Sequence, residues 1–500
     1  MKVGTIDVMR KMEKVAIESI GIPSIVLMEN AAHKVIDNID LKNNKNFVVI
    51  CGNGNNGGDG LAIARNLKIE GKNVDVFLSQ RGKNLSKDCK LNYDILKKLG
   101  VRINQLNNLE DFQALRDCLI RSDITIDSLF GTGLNRDLDS FYIDMITVIN
   151  ENSNYILSVD IPSGMEGNNG KVMGNAIKAN KTITFQIYKK GFLAYETLKY
   201  TGKIIVENIG IPKEIVDRYN EKINITEAKN VKKLIPLRDT YGYKGDYGKV
   251  LIIAGNEGYT GAAYISTEAA VKSGAGLVTL STKESIKNIL CGKLEEAMTS
   301  SYENKEELLK LVEKSDVIVI GPGMGNNKTT LNCLKLVLDN SKVPVIIDAD
   351  GINVLKDNEN LIQNRKYPII ITPHLGEMSK LSGRTIEYIR NNRLSVASEI
   401  AKKFKIIVLL KGYNTVITDG ESTYINPTGN SSMASGGMGD CLTGIIASFI
   451  AQKCDLLKAT SIAAFVHGYA GEVLSKERFS VSATDIIEAL PNIIKQIQLN

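Results

Sequence analysis

Residues 47–60 read Phe-Val-Val-Ile-Cys-Gly-Asn-Gly-Asn-Asn-Gly-Gly-Asp-Gly. The unbroken apolar run 47–51 predicts a strand buried on both faces. The glycines of 52–60 predict a tight loop, and 61–69 a helix. The same order starts again at Lys249-Val250-Leu251-Ile252-Ile253-Ala254, with a glycine loop at 255–261 and a helix at 262–273. Working outward, further short apolar strands are predicted at 74–78, 124–128 and 155–159 in the first half. In the second half they fall at 317–320, 344–347, 368–372, 406–410, 415–418 and 423–425. A helical pattern at 9–36, broken near Gly21-Ile22-Pro23, precedes the first half, and helices at 440–452 and 459–474 close the second. Strands alternating with helices imply an α/β protein with mainly parallel sheets. The two glycine loops share little beyond Gly-Asn and a later Gly, so the halves read as two different domains. The charged stretch 220–239, carrying Pro236, predicts a short helix and linker between them.

Bulk composition narrows the class. At 500 residues the chain has room for two or three cores. The net charge of +6 is small, and Lys and Arg are dispersed among Asp and Glu, which excludes a nucleic-acid footprint. Seven cysteines, odd in number and without a C-x-x-C pair, form neither a disulfide framework nor a zinc site. A reducing, cytoplasmic setting is expected. Residues 1–18 are charged and predict no secretory signal. The longest apolar run, 441–451, is far short of the ~20 residues of a membrane span, so no membrane is expected.

Gly52, Gly54 and Gly57 satisfy G-x-G-x-x-G between a strand and a helix, and Asp75 follows at the spacing of a ribose-binding acid. Two features argue against an ordinary dehydrogenase. Asp59 places a carboxylate where a helix start would receive pyrophosphate, and Asp75 lies inside its strand rather than at the end. Two more stretches end predicted strands: Asp127-Ser128-Leu129-Phe130-Gly131-Thr132-Gly133-Leu134 and Asp160-Ile161-Pro162-Ser163-Gly164. With the loop at 55–59 they bring Asn56, Asp127, Asp160 and Ser163 to one edge of one sheet. Clustered oxygen ligands with few charges suit a monovalent or hard cation, and a carboxylate among them can act as acid or base.

These three motifs resemble the signature of the NAD(P)H-hydrate epimerase domain, over about residues 1–214. The resemblance implies a Rossmann-like α/β sandwich that interconverts the R and S epimers of hydrated NADH or NADPH. It implies a potassium ion held by Asn56, Asp127 and Ser163. The hydrate would contact Asn55, Asn56, Gly57, Gly58, Asp59, Gly131, Thr132, Gly133, Leu134, Asn135, Arg136, Asp137 and Asp160. Epimerisation at C6 of the reduced ring needs loss and return of a hydroxyl, driven by the ring nitrogen lone pair. Asp160 is the expected acid that protonates the leaving oxygen and handles the returning water.

In the second half, Gly255 to Ala263, Gly321-Pro322-Gly323-Met324-Gly325, Asp348-Ala349-Asp350-Gly351 and Thr372-Pro373-His374-Leu375-Gly376-Glu377 all end predicted strands. His374 is one of three histidines and the one placed at a strand end; His33 and His467 sit in helical patterns and read as structural. The decisive stretch is 426–444. Gly436, Gly437 and Gly439 precede Asp440 at a helix start, where free N–H groups and the helix dipole make an anion hole for a phosphoryl group. Asp440 can accept the proton of an attacking hydroxyl, and the transfer proceeds by positioning and charge stabilisation. No Lys follows the glycines, so this is not a P-loop. Lys411 in Lys411-Gly412-Tyr413-Asn414-Thr415 is placed to meet nucleotide phosphates.

This half, about residues 225–500, resembles the ADP-dependent NAD(P)H-hydrate dehydratase domain of the ribokinase-like superfamily. The resemblance implies hydrate contacts from Ala262, Gly323, Gly325, His374 and Asp440. It implies nucleotide contacts from Lys411, Gly412, Tyr413, Asn414, Thr415 and Gly439, with Mg2+ accompanying ADP. Tyr243 and Asn256 depart from the family pattern, which has His and Ser there. A homo-oligomer is the expected assembly, with small-molecule substrates. Two other functions share these motifs: a ribokinase-like small-molecule kinase with a regulatory first domain, and a nucleotide-binding scaffold without turnover.

Overall fold

The computed structural model describes residues 1–80, 84–363 and 365–499. They form two compact units, Met1–Glu221 and Lys222–Asn500.

The first unit contains β1 (Val3–Gly4), β2 (Asn46–Cys51), β3 (Asn73–Leu78), β4 (Ile103–Gln105), β5 (Ile124–Ser128), β6 (Ile156–Val159), β7 (Lys181–Phe185), β8 (Tyr188–Lys189) and β9 (Lys203–Glu207). Seven of these form one sheet in the order β4-β3-β2-β5-β6-β7-β9, and every pairing in it is parallel. The chain leaves β2 towards β3 on one side and later returns to β5 on the other. That reversal makes the carboxyl ends of β2 and β5 the crevice where doubly wound sheets take ligands. The residues Phe47, Val48, Val49, Ile50 and Cys51 are all buried, as an unbroken apolar run in a sheet covered on both faces requires. One core layer holds Val49, Leu61 and Leu67, the other Val48, Ile50, Phe112 and Ile149. Burying each such side chain contributes about 1.5–3 kcal/mol.

The helix after β2 begins earlier than the sequence suggests, at Asn55 rather than Leu61. A Cβ on Gly57 would lie 1.8 Å from the Gly52 carbonyl oxygen. The glycines are therefore the close-packed first turns of this helix, and Asp59 projects from it instead of standing before it. The 9–36 pattern divides as expected, into helices Ile6–Glu18 and Ser24–Asp37. The former is capped by Thr5, whose hydroxyl accepts from the Val8 N–H.

The second unit contains β10 (Ile223–Ile225), β11 (Lys249–Ile253), β12 (Leu277–Thr282), β13 (Met298–Ser301), β14 (Val317–Ile320), β15 (Val345–Ile347), β16 (Ile369–Ile371), β17 (Ile407–Leu410), β18 (Thr415–Thr418) and β19 (Thr423–Asn426). They form a ten-stranded sheet in the order β10-β19-β18-β17-β16-β15-β14-β11-β12-β13. It is parallel apart from the β17–β18 and β18–β19 pairings. The stretch 220–239 supplies more than a helix and linker: β10 pairs with β19 and so belongs to this sheet, followed by helix Ala228–Leu234. The helix Met438–Ala451 is buried throughout Cys441–Ala451. It lies so close to helix Thr260–Lys272 that a Cβ on Gly444 would meet the Ser266 carbonyl oxygen at 2.2 Å.

Candidate functional site

In the first unit the crevice is lined from β2, β5 and β6. The Asp127 carboxylate is fully buried. It accepts from the Ser158 hydroxyl at 2.8 Å, the Ser163 N–H at 2.9 Å and the Ser163 hydroxyl at 2.5 Å. Burial raises its pKa against the pull of those bonds. Asn56, on the first turn of its helix, packs against Gly131, whose added Cβ would lie 3.0 Å from the Asn56 Cβ. Both polar atoms of its amide are buried without a partner among the described residues. Unpaired buried amides are costly, so Asn56 Oδ1 is an oxygen donor left free to take a ligand such as a cation. The loop 131–137 is mostly exposed, and Arg10 donates to the Thr132 carbonyl at 3.0 Å.

Asp160 follows β6 with φ 64°, a left-handed conformation that costs a non-glycine residue energy. It turns the carboxylate towards β7 and β8, where it accepts from the Thr184 hydroxyl at 3.0 Å and pairs with the Lys189 ammonium at 3.0 Å. Lys189 is 0% exposed and also donates to the Phe185 carbonyl at 2.9 Å. Asp59 is held well above the usual carboxylate range by burial and then by Asp160, Glu13 and Asp88. Glu13 is raised by burial and Asp160, opposed by Lys189 and Arg10. Sequence reading missed Glu13, Thr184 and Lys189. Nothing in their local sequence singles them out: Lys189 reads as one of the pair Lys189-Lys190.

In the second unit the carboxyl ends of β11, β14, β15, β16 and β17 converge. Asp440 sits in the first turn of helix Met438–Ala451, behind Gly437 at φ 85°. Its pKa rises to about 7 through burial first and then Asp348, with Lys411 opposing. The Lys411 ammonium donates to Asp348 Oδ1 at 2.6 Å. The other Asp348 oxygen accepts from the Thr443 hydroxyl at 2.7 Å, and that hydroxyl also donates to the Gly439 carbonyl. A Cβ on Gly439 would lie 3.0 Å from Lys411 Nζ, so the ammonium rests directly against the anion hole. Burial would drive the proton off Lys411, but Asp348 and Glu377 hold its pKa up. From behind, the buried Arg393 guanidinium donates to the carbonyls of Leu410 and Lys411 at 3.0 and 3.2 Å. Gly412 and Asn414 in this loop both have positive φ.

His374 caps helix Leu375–Ser382: its Nδ1 accepts from the N–H groups of Gly376 and Glu377 at 2.9 and 3.3 Å. Nδ1 being an acceptor, Nε2 carries the proton. Its side chain is 61% exposed, open to a ligand. Gly323 lies against Ala262, a Cβ there falling 2.8 Å from the Ala262 Cβ, and the Gly325 N–H donates to Asp350 at 2.8 Å. Asn256 ties its loop to the next by donating to the Met324 carbonyl at 3.1 Å, so this departure from the family pattern closes the loop pair. Tyr243 is exposed and closes a capping turn with Asp246. His467 is buried with Nε2 unpartnered. Its pKa falls to about 4 through burial and Lys411.

Residues 250–492 match the family model described as NAD(P)H-hydrate dehydratase, and residues 24–191 the model described as YjeF-related protein N-terminus. A bifunctional NAD(P)H-hydrate repair enzyme of Moorella thermoacetica is 35% identical over 98% of this chain and 96% of its own. The chain belongs to the bifunctional NAD(P)H-hydrate repair enzyme family. Two solved structures resemble part of it. A ribokinase-like superfamily protein of Enterococcus faecalis is 33% identical with TM-score 0.52, over 56% of this chain and 98% of its own. An ADP/ATP-dependent NAD(P)H-hydrate dehydratase of Bacillus subtilis, co-crystallised with ATP and Mg2+, is 28% identical with TM-score 0.50, over 55% and 98%. The C-terminal unit is thus ribokinase-like, and the N-terminal unit is Rossmann-like by its parallel sheet. Family membership sets aside the plain-kinase and scaffold functions that the motifs also allowed. Among the described residues no helix is long and apolar enough to cross a membrane, and all seven cysteines are free.

Proposed function

We propose that this chain repairs hydrated nicotinamide nucleotides in two steps. The N-terminal unit interconverts the R and S epimers of NADH or NADPH hydrated at C6. The C-terminal unit removes water from the S epimer at the expense of ADP, giving AMP and phosphate. The observation that carries this reading is Asp440. It is a half-buried carboxylate of pKa about 7, set behind the glycine turn with Lys411 at its side, at an open sheet edge that His374 also lines.

At that edge Asp440 takes the proton of the C6 hydroxyl as its oxygen attacks the terminal phosphorus of ADP. The N–H groups of Gly437 to Gly439 and the Lys411 ammonium receive the charge that builds on the phosphoryl oxygens. The ring nitrogen lone pair then expels phosphate, and the C5 proton passes to the departing phosphate, restoring the dihydropyridine. Residues 411–415 and Gly439 hold the nucleotide, with magnesium arriving on its phosphates. Ala262, Gly323, Gly325 and His374 hold the hydrate.

In the N-terminal unit, residues 55–59, 131–137 and Asp160 receive the hydrate, and Asp160 moves protons at the C6 oxygen. Asn56, Asp127 and Ser163 fit a potassium ion, because the buried Asn56 amide has no partner of its own. Such an ion would supply fixed positive charge to the pocket. Free thiols throughout fit a reducing cytoplasm. The deciding experiment incubates the wild type with mixed-epimer hydrate and either ADP or ATP. Full recovery of reduced-nicotinamide absorbance with one nucleotide supports both units and names the donor. Recovery that stops at the S fraction removes the epimerase assignment, and a stable phosphoester product removes the dehydratase.

A further inference from the structure

Two carboxyl groups of the N-terminal crevice, Asp59 and Asp160, are held in opposite ways. Asp160 has a cation and a hydroxyl on it: Lys189 Nζ and Thr184 Oγ1, both at 3.0 Å from the same oxygen. Lys189 is 0% exposed, and its other contact is the uncharged Phe185 carbonyl. An ammonium taken wholly out of water needs a counter-charge, and Asp160 is the carboxylate in contact with it. Asp59 makes no hydrogen bond or ion pair among the described residues, although it lies one helical turn from Asn56 in the same crevice. The other charged groups around the pair are Glu13 and Arg10 from helix Ile6–Glu18 and Asp88 from helix Lys87–Lys98.

Resting on the epimerase reading above, we propose that proton transfer in this crevice is divided. Asp59 gives the proton to the departing C6 oxygen. Asp160, fixed as a carboxylate by Lys189 and Thr184, takes the proton of the returning water. In the first step the C6–O bond breaks, the nitrogen lone pair forms the N1=C6 iminium, and water leaves with the Asp59 proton. In the second step water adds to the opposite face of C6 as its proton passes to Asp160. A proton shift from Asp160 to Asp59 resets the site, so no co-reactant is consumed. Lys189 acts here as a positioning residue. Its strand β8 is itself held by pairing with β1, Gly4 beside Lys189, so the first residues of the chain help to frame the site. Burial and the neighbouring carboxylates, which raise the pKa of Asp59, favour the protonated form this scheme gives it.

The test is the pH profile of R-to-S exchange above the uncatalysed rate, in full-length enzyme. The wild type should lose activity on the alkaline side as Asp59 gives up its proton. Asp59→Asn should lower kcat roughly a hundredfold or more with KM little changed, and should abolish the loss at high pH. Lys189→Met should lower kcat at neutral pH roughly tenfold or more, because Asp160 loses the cation that holds it as a carboxylate. Thr184→Val, which removes one uncharged contact, should lower it by less, and it decides the matter if the lysine variant does not fold. Wild-type kcat in Asp59→Asn overturns the proposal. So does a Lys189→Met or Thr184→Val enzyme whose activity at neutral pH rises, as a single-acid Asp160 would require. A wild type that exchanges epimers no faster than solution overturns the epimerase reading instead.

Discussion

Asp440 shows how position changes a residue's chemistry. An Asp in water is a weak base near neutrality; half-buried beside Asp348 it reaches a pKa of about 7, the range in which general bases work best. Only the ionised form accepts a proton. Dehydration at saturating ADP should therefore rise with pH through about 7 and level off above it. Asp348→Asn removes the negative neighbour and leaves Lys411 unopposed. Both changes favour the Asp440 carboxylate, so the limb should shift to lower pH. The nucleotide KM should rise as well, since Lys411 loses the partner that holds it against Gly439. A limb that stays in place would separate Asp348 from Asp440. At this scale, residues lying within a motif were legible: Asp440, His374 and Asp160 each end a strand or open a helix. Their partners were not. Lys189 pairs with Asp160 at 3.0 Å and Thr443 with Asp348 at 2.7 Å, and only the folded chain brings those distant positions together.

The elements follow the apolar runs. β2, β11, β14 and β17 stand where four or five consecutive apolar residues predict them, and β5 where Ile124-Thr125-Ile126 does. β4, β10 and β13 read Ile-Asn-Gln, Ile-Asn-Ile and Met-Thr-Ser-Ser. None has an apolar run, and all three lie at sheet edges, where one face and one flank can stay polar. Their pairing is dictated by neighbours, so sequence alone does not reveal them. The Asn55 helix starts earlier than its sequence suggests for a related reason: its glycines are required by close contacts, Gly57 with Gly52, Gly58 with Met28 and Gly60 with Ser128, not by a turn. The same logic makes Gly444 a packing residue. Gly444→Ala places a methyl 2.2 Å from the Ser266 carbonyl, which forces two core helices apart. The substitution should cost about 1–3 kcal/mol, read as a lower denaturation midpoint for the C-terminal unit. It should also lower kcat for dehydration, since the same helix carries Asp440. Unchanged stability would mean that the helices separate freely.

For the whole molecule the question is whether one chain carries two independent reactions. Each unit has its own sheet, its own cores and its own crevice at the carboxyl edge, with no residue shared between the two sets assigned here. Loss of one chemistry should therefore spare the other. Asp440→Asn removes the base and should abolish ADP-dependent recovery of reduced-nicotinamide absorbance, while R and S hydrate continue to exchange. Asp160→Asn keeps the side chain's shape but removes the charge beside Lys189, leaving that ammonium buried and uncompensated. Epimer exchange should drop to the solution rate. With mixed hydrate and ADP this variant should recover only the S fraction promptly, and the remainder at the pace of spontaneous epimerisation. Chromatographic separation of the epimers, run beside the absorbance trace, distinguishes the two outcomes. Prompt full recovery by Asp160→Asn would remove that residue from the chemistry. Dehydration by Asp440→Asn at the wild-type rate would move the phosphoryl-transfer centre away from the glycine turn, and with it the reason to read the second unit as the site where water is lost.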